Sequence, residues 1–228
     1  MTSLPRAFAL SLGQLGDPAI LRVLGKSLLL TLAIFLALGW GLVFAYDWAL
    51  LRLGIDTDSG TGTLLAALTA FIAAWLLFRI IALFVLNFFA DEVVRAVERR
   101  HYPAAAQSAR SLPLATELAN GTRATLRAIA VNLLALPFAI LLLATGIGTA
   151  LLFWAVNAWL LGRELQDMVW LRHRREAHDI APMGAARRFL LGGIVAALLL
   201  IPFVNLLAPV LGAASATHLV HRGRKPLA

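Results

Sequence analysis

Cysteine is absent from this chain of 228 residues, lysine occurs only at Lys26 and Lys225, and charged residues make up 14% of the total. Without cysteine there is neither a disulfide framework nor a thiolate site. Soluble domains carry about a quarter charged residues. The shortfall here is matched by 61% hydrophobic residues gathered into long uncharged runs. That pattern reads as an integral membrane protein. There is no Gly-rich phosphate loop, so ATP hydrolysis in cis is not expected. A nucleophile elbow and paired carboxylates within an apolar run are missing too, which argues against an enzyme. No HExxH-like spacing appears, and His218 and His221, three apart, have no carboxylate near them in sequence. Neither a metal nor a cofactor is therefore expected. The first 26 residues carry Arg6, Asp17, Arg22 and Lys26, which does not fit a secretory signal peptide.

What charge there is lies between the oily runs. The net charge of +8 is thus read as an orientation signal at a lipid bilayer, and not as a nucleic-acid surface. Ser27 to Tyr46 is uncharged for 20 residues. As helix, at about 1.5 Å per residue, it covers a hydrocarbon core of about 30 Å. Trp40, Tyr46 and Trp48 cluster at its far end, where aromatic rings favour the interface. Thr63 to Ala90 is apolar except for Arg79 and Asn87. Asp91 to Arg127 is polar, with helical charge spacing that puts Arg95 on one face with Asp91 and Glu98. Ala128 to Gly162 holds 35 residues without a charge, interrupted by Pro137 and by TGIGT at Thr145 to Thr149. The two glycines of that pentapeptide predict a turn. Phe189 to Thr217 holds 29 more uncharged residues, with Asn205 between Pro202 and Pro209.

Lys and Arg against Asp and Glu number 3 and 1 over residues 1–26, 1 and 3 over 47–62, 6 and 4 over 91–127, 6 and 4 over 163–188, and 3 and 0 over 218–228. Only the 47–62 loop lacks a basic excess. By the positive-inside rule it is external and the other four segments are cytoplasmic. The runs at 128–162 and 189–217 must then leave the cytoplasm and return. Split at Pro202, the last run gives two halves of roughly 20 Å each as helix, too short to span. A hairpin that enters the membrane only partway fits both length and charge. Asn205 is placed to cap its second half-helix, and Pro209 falls near the first turn, where a missing N–H costs little. A single Pro-kinked spanning helix is the alternative.

Five stretches, in this order and spacing, resemble the CysZ-type sulfate permeases, which are grouped with the etoposide-induced membrane proteins. They are DPAILRVLGKSLLL, FFADEVVRAVERRHYP, LPFAILLLATGIGTALLFWAVNAWLLGRELQDMVWLRHR, RRF and IPFVNLLAPVLGAASATHLV. The resemblance implies an all-α membrane protein with two long transmembrane helices and two partly penetrating helical hairpins. It also implies sulfate transport at the cell inner membrane and assembly into a homo-oligomer. The chain departs from the family pattern in three places. Phe88-Phe89-Ala90-Asp91 stands where a Pro-Phe-Asn element is usual, ELQDMV stands where a Tyr-Pro element is usual, and Ile20-Leu21-Arg22 replaces a Gly-Leu-Arg-like turn at the anion site.

The resulting expectation is a single membrane domain over 1–228, with spans at about 27–50 and 63–90. The hairpins are expected at about 128–162 and 189–217, a cytoplasmic helical segment at 91–127, and both termini are cytoplasmic. Asp17-Pro18 reads as a helix start. Free N–H groups there, together with Ile20, Leu21, Arg22 and Lys26, form the candidate site for a small oxyanion such as sulfate. The alternative is that both cations only mark the cytoplasmic flank. Arg79, Asn87 and Asn205 are candidates for the pathway, because charge and amides at membrane depth usually face water or a partner. Asn132 and Asn157, with Asn205, also suit hydrogen bonds between helices. Gly212 and Ala216 give the spacing for close helix packing. The reading is an oxyanion transporter or channel. The alternative is a non-transporting membrane scaffold of the same fold.

Overall fold

The computed structural model describes residues 3–53, 68, 72, 90–176, 178–201 and 204–223. Among them the chain is all-helical, without a strand. The helices are α1 (Leu4–Gly13), α2 (Pro18–Leu53), α3 (residues 90–101), α4 (Pro103–Ser108), α5 (Leu114–Leu142), α6 (Gly148–Trp170), α7 (Ala185–Leu199) and α8 (Ala208–Gly223). Short 3₁₀ turns lie at Leu143–Thr145 and Val204–Leu206. The chain divides into two compact units, one of residues 1–20 and 90–228 and the other of residues 21–89.

In the smaller unit the described backbone is mainly the body of α2. Pro18 opens this helix with its φ preset and no N–H to satisfy. The 36 residues of α2 extend about 54 Å. Leu29, Leu32, Leu36 and Trp40 are exposed along one face, at the spacing of a single helical stripe. The expected span over 63–90 lies outside the described residues except at Leu68, Ile72 and Ala90.

The larger unit is built around α8. Its sequence is rich in Ala, Gly, Ser and Thr, and every residue from Val210 to Val220 is buried. Small side chains let neighbouring helices approach from all sides. A Cβ on Gly212 would stand 3.0 Å from Val195 of α7 and 3.3 Å from Leu165 of α6. α1 lies along α8 and runs the same way, since Ser11 Oγ bonds Ser215 Oγ at 3.0 Å and Gln14 Nε2 bonds His218 Nε2 at 2.9 Å. Among the described residues, α6 and α7 form the most extensive helix pair. A side chain on Gly162 would collide with the Arg188 carbonyl, and one on Gly192 with the Ala158 carbonyl, so the two backbones touch directly. Trp154 closes this interface by donating its indole N–H to the Gly193 carbonyl at 3.0 Å.

α5 is different. It is long and apolar enough to cross a membrane, with a mean hydropathy of 2.3 in its most apolar window, of which only 11% is buried. The TGIGT turn forms as the sequence predicts. Gly146 takes φ 74°, a conformation that favours glycine, and α6 starts at Gly148. Thr149 Oγ1 donates to the Ala139 carbonyl at 3.0 Å and pins the two arms together. Both helices outrun the uncharged stretch: α5 begins at Leu114 and α6 continues to Trp170.

Two expectations are corrected. Asn205 sits in the 3₁₀ turn, whereas α8 begins at Ala208, so Leu207 and not Asn205 precedes the helix. Asn132 and Asn157 bond back to the carbonyls of Ala128 and Phe153 in their own helices, each at 2.8 Å. The carbonyl four residues earlier is the nearest acceptor a helical amide can reach.

Candidate functional site

The densest polar chemistry among the described residues lies where α3, α6 and α8 end in the larger unit. In α3 the residues Ala90, Val93, Val94 and Val97 are buried, which is one helical face. Glu98 extends that face and is 0% exposed. Its Oε2 accepts from Arg172 Nη2 at 2.8 Å, and its Oε1 accepts from His173 Nε2 at 2.7 Å and from His221 Nε2 at 3.0 Å. Burial on its own would raise the Glu98 pKa. The bonds from His173 and His221 and the charge of Arg172 overcome that and hold it at about 2. An ionised carboxylate only accepts, so both rings carry a proton on Nε2.

A short chain of bonds continues from this cluster. Tyr102 follows α3, and Pro103 after it stops the helix. The Tyr102 ring stacks on His221, with centroids 4.8 Å apart. Its hydroxyl is 2.8 Å from His218 Nδ1 and accepts from Arg222 Nε at 3.1 Å. His218 lies beyond the uncharged run and is fully buried. Burial, followed by the charges of His101, Arg222 and His221, lowers its pKa to about 4. Its ring is therefore neutral near pH 7. Beside the cluster opens a cavity of about 1070 Å³, lined by Tyr102, Ser108, Arg110, Arg172, His173 and His221 among others. Arg110 N–H donates to the Arg172 carbonyl at 3.0 Å, tying this loop to the end of α6.

The sequence-predicted anion residues lie elsewhere, along the start of α2. Ile20 is buried, Leu21 is 52% exposed, and Arg22 and Lys26 are exposed. Arg22 and Lys26 are four apart and so share a helix face. Asp17, just before Pro18, forms an ion pair with Arg100 of α3. The carboxylate at this helix start is therefore neutralised by a cation from α3. Asn205 is half-buried. Arg79 and Asn87 lie outside the described residues.

The sequence model of the family described as sulfate transporter CysZ/etoposide-induced protein 2.4 matches residues 7–209. The chain belongs to this family. No curated protein matches it. The match to the CysZ/etoposide-induced family covers α1 through the start of α8 and so includes Arg22, Glu98 and His173. It stops short of His218 and His221.

Sequence reasoning placed Glu98 only as a neighbour of Arg95 and left Tyr102 without a role. It places Arg172 and His173 only within the basic segment 163–188, assigned to the cytoplasmic side. The fold instead joins Glu98 to residues 74, 75 and 123 positions away. The one available signal was indirect. Glu98, Tyr102, Arg172 and His173 all fall inside the stretches that carry the family resemblance. The carboxylate missing from the neighbourhood of His221 in sequence is Glu98. Glu98, His173 and His221 are also the described residues whose donor atoms could together hold a metal ion.

Proposed function

We propose that this protein passes a small oxyanion, sulfate first, across the cell inner membrane, with Arg22 as the principal anion contact and Lys26 beside it. The observation that carries this reading is the family match over residues 7–209. Three features support it. α5 carries a strongly apolar stretch of which little is buried, as suits a helix in lipid. α2 is long enough to cross a bilayer and exposes leucines along its side. Arg22 and Lys26 are exposed on one face near the start of that helix, where cations and unpaired backbone N–H groups together suit an oxyanion. Residues 128–162 and 189–217 form two hairpins that enter the membrane without fully crossing it, and both termini are cytoplasmic. Lipid and further copies of the chain cover the apolar face of α5. Arg79, Asn87 and Asn205 contribute to the anion path.

Radiolabelled sulfate uptake into proteoliposomes tests this reading, with empty vesicles and Arg22→Ala as comparisons. Uptake by the wild type should exceed that of empty vesicles. The variant should lose at least about tenfold at low sulfate, because a hydrogen bond between charged groups is worth about 1.5–3 kcal/mol. Folded wild type that performs no better than empty vesicles overturns sulfate passage and favours the scaffold reading. A cysteine at Gly223 that an external reagent labels overturns the cytoplasmic tail.

A further inference from the structure

We propose that Glu98, His173 and His221 form a binding site for a first-row divalent transition metal ion of the zinc type. This inference does not depend on what crosses the membrane. The donor atoms come from three separate stretches of chain, the last turn of α3, the turn after α6 and the last turn of α8, and all lie within 4.8 Å of one another. Glu98 and His173 are buried and the His221 side chain is only 4% exposed. Two imidazole nitrogens and one carboxylate oxygen suit zinc, cobalt or nickel. Magnesium and calcium prefer sets made entirely of oxygen.

An ion drawn between the three donors needs side-chain rotation, since the donor set spreads to 4.8 Å and must close to tetrahedral spacing. Donors about 2.0–2.2 Å from a tetrahedral ion stand about 3.3 Å from each other. The two distances from Glu98 Oε1 to the ring nitrogens are 2.7 and 3.0 Å. Small side-chain rotations open them by the missing few tenths of an ångström. Each ring then turns its Nε2 lone pair toward the ion and carries its proton on Nδ1. Arg172 keeps its bond to Glu98 Oε2, which fixes the carboxylate and leaves Oε1 for the ion. Tyr102, stacked on His221, fixes that ring. The Glu98 charge offsets the nearby guanidinium. The cavity that His173 and His221 line offers a path in and room for a fourth ligand such as water.

The test uses the full-length protein in detergent, stripped with chelator. Cobalt(II) is added and the visible d–d absorption followed, and zinc is then added as competitor. The expected result is saturable binding of one ion per chain, with intense bands of the low-coordinate type that zinc abolishes. His221→Gln should weaken binding at least about tenfold, since loss of a supporting group alone costs about 10–100-fold in affinity. That variant keeps an N–H able to reach Glu98, which favours folding. His178→Ala, which removes an exposed histidine paired with Glu176, should bind as the wild type does. Binding that is absent in folded wild type, or unchanged in His221→Gln, overturns the site and leaves a purely hydrogen-bonded trio. X-ray absorption on the zinc-loaded wild type decides without any variant: two imidazoles in the first coordination sphere support the proposal, and fewer overturn it.

Discussion

Gly192 of α7 lies so close to Ala158 of α6 that a Cβ on the glycine would collide with the Ala158 carbonyl oxygen. Gly162 meets Arg188 in the same manner from the opposite side of the interface. Neither obstacle is the tip of a flexible side chain, so the helices must separate if either glycine gains a methyl group. Gly192→Ala and Gly162→Ala should each destabilise the larger unit by about 1–3 kcal/mol or more. Gly121→Ala is the contrast, because nothing lies within 4 Å of that position in α5. It should raise stability by up to about 1 kcal/mol through helix propensity. Thermal unfolding in detergent, followed by circular dichroism, separates the two classes. Equal midpoints for Gly192→Ala and wild type would refute the close approach.

Glu98 holds three donors on one carboxylate, and each comes from a different place along the chain. Its value is best seen by what is left when it goes. Glu98→Ala strands the part-buried Arg172 guanidinium beside two ring N–H groups. Removing one partner of a buried pair costs about 3–5 kcal/mol. Surface pairs contribute far less, about 0–1 kcal/mol. The predicted order of midpoints is therefore Glu98→Ala well below His178→Ala, whose partner Glu176 lies at 3.0 Å with both side chains exposed. Similar losses for both variants would contradict the buried cluster.

Local signals were legible in the sequence, and distant pairings were not. Pro18 marked a helix start and the glycines of TGIGT marked a turn, because both act through their own backbone angles. Charge gaps located the oily runs but not the helix ends. α5 and α6 carry on through Arg127 and Arg163 into polar sequence. A helix stops where its backbone bonds stop, not where lipophilicity does. Asn205 looked like a cap because an amide before a proline suits that role, yet the 3₁₀ turn places the helix start three residues later. The Glu98 cluster had no local signature. Its members are ordinary residues until α3, α6 and α8 converge, and no spacing within one element encodes that.

His218 predicts a pH dependence of stability. It faces Gln14 from α1, His101 and Tyr102 from α3 and its end, and His221 and Arg222 from its own helix. Its pKa falls from the ordinary 6.5 to about 4 on folding. The unfolded chain therefore binds the proton more readily. Above pH 6.5 the ring is neutral in both states and the stability is fully present. It is lost as pH drops from 6.5 toward 4, and below that the loss is complete and constant. The wild-type midpoint should fall across this window, and that of His218→Gln should fall less steeply. Parallel curves would remove His218 as the source.

Leu134 is 70% exposed in the most apolar stretch of α5. The same exposure has opposite consequences in water and in lipid. If α5 faced water, Leu134→Arg would replace an unfavourable apolar surface with a charged one and would raise solubility. If α5 lies in the bilayer, arginine near the helix centre costs about 2.5–3.5 kcal/mol of insertion free energy. Leu114→Arg, at the helix start and also exposed, should cost much less, because a long side chain near the end reaches the interface. The measurement is the fraction of each variant recovered in membranes after expression, read beside wild type. Strong loss for Leu134→Arg with little for Leu114→Arg supports a membrane-embedded α5. Equal recovery of both, or better recovery of Leu134→Arg, removes α5 from the membrane and with it the strongest physical support, outside the family match, for anion passage.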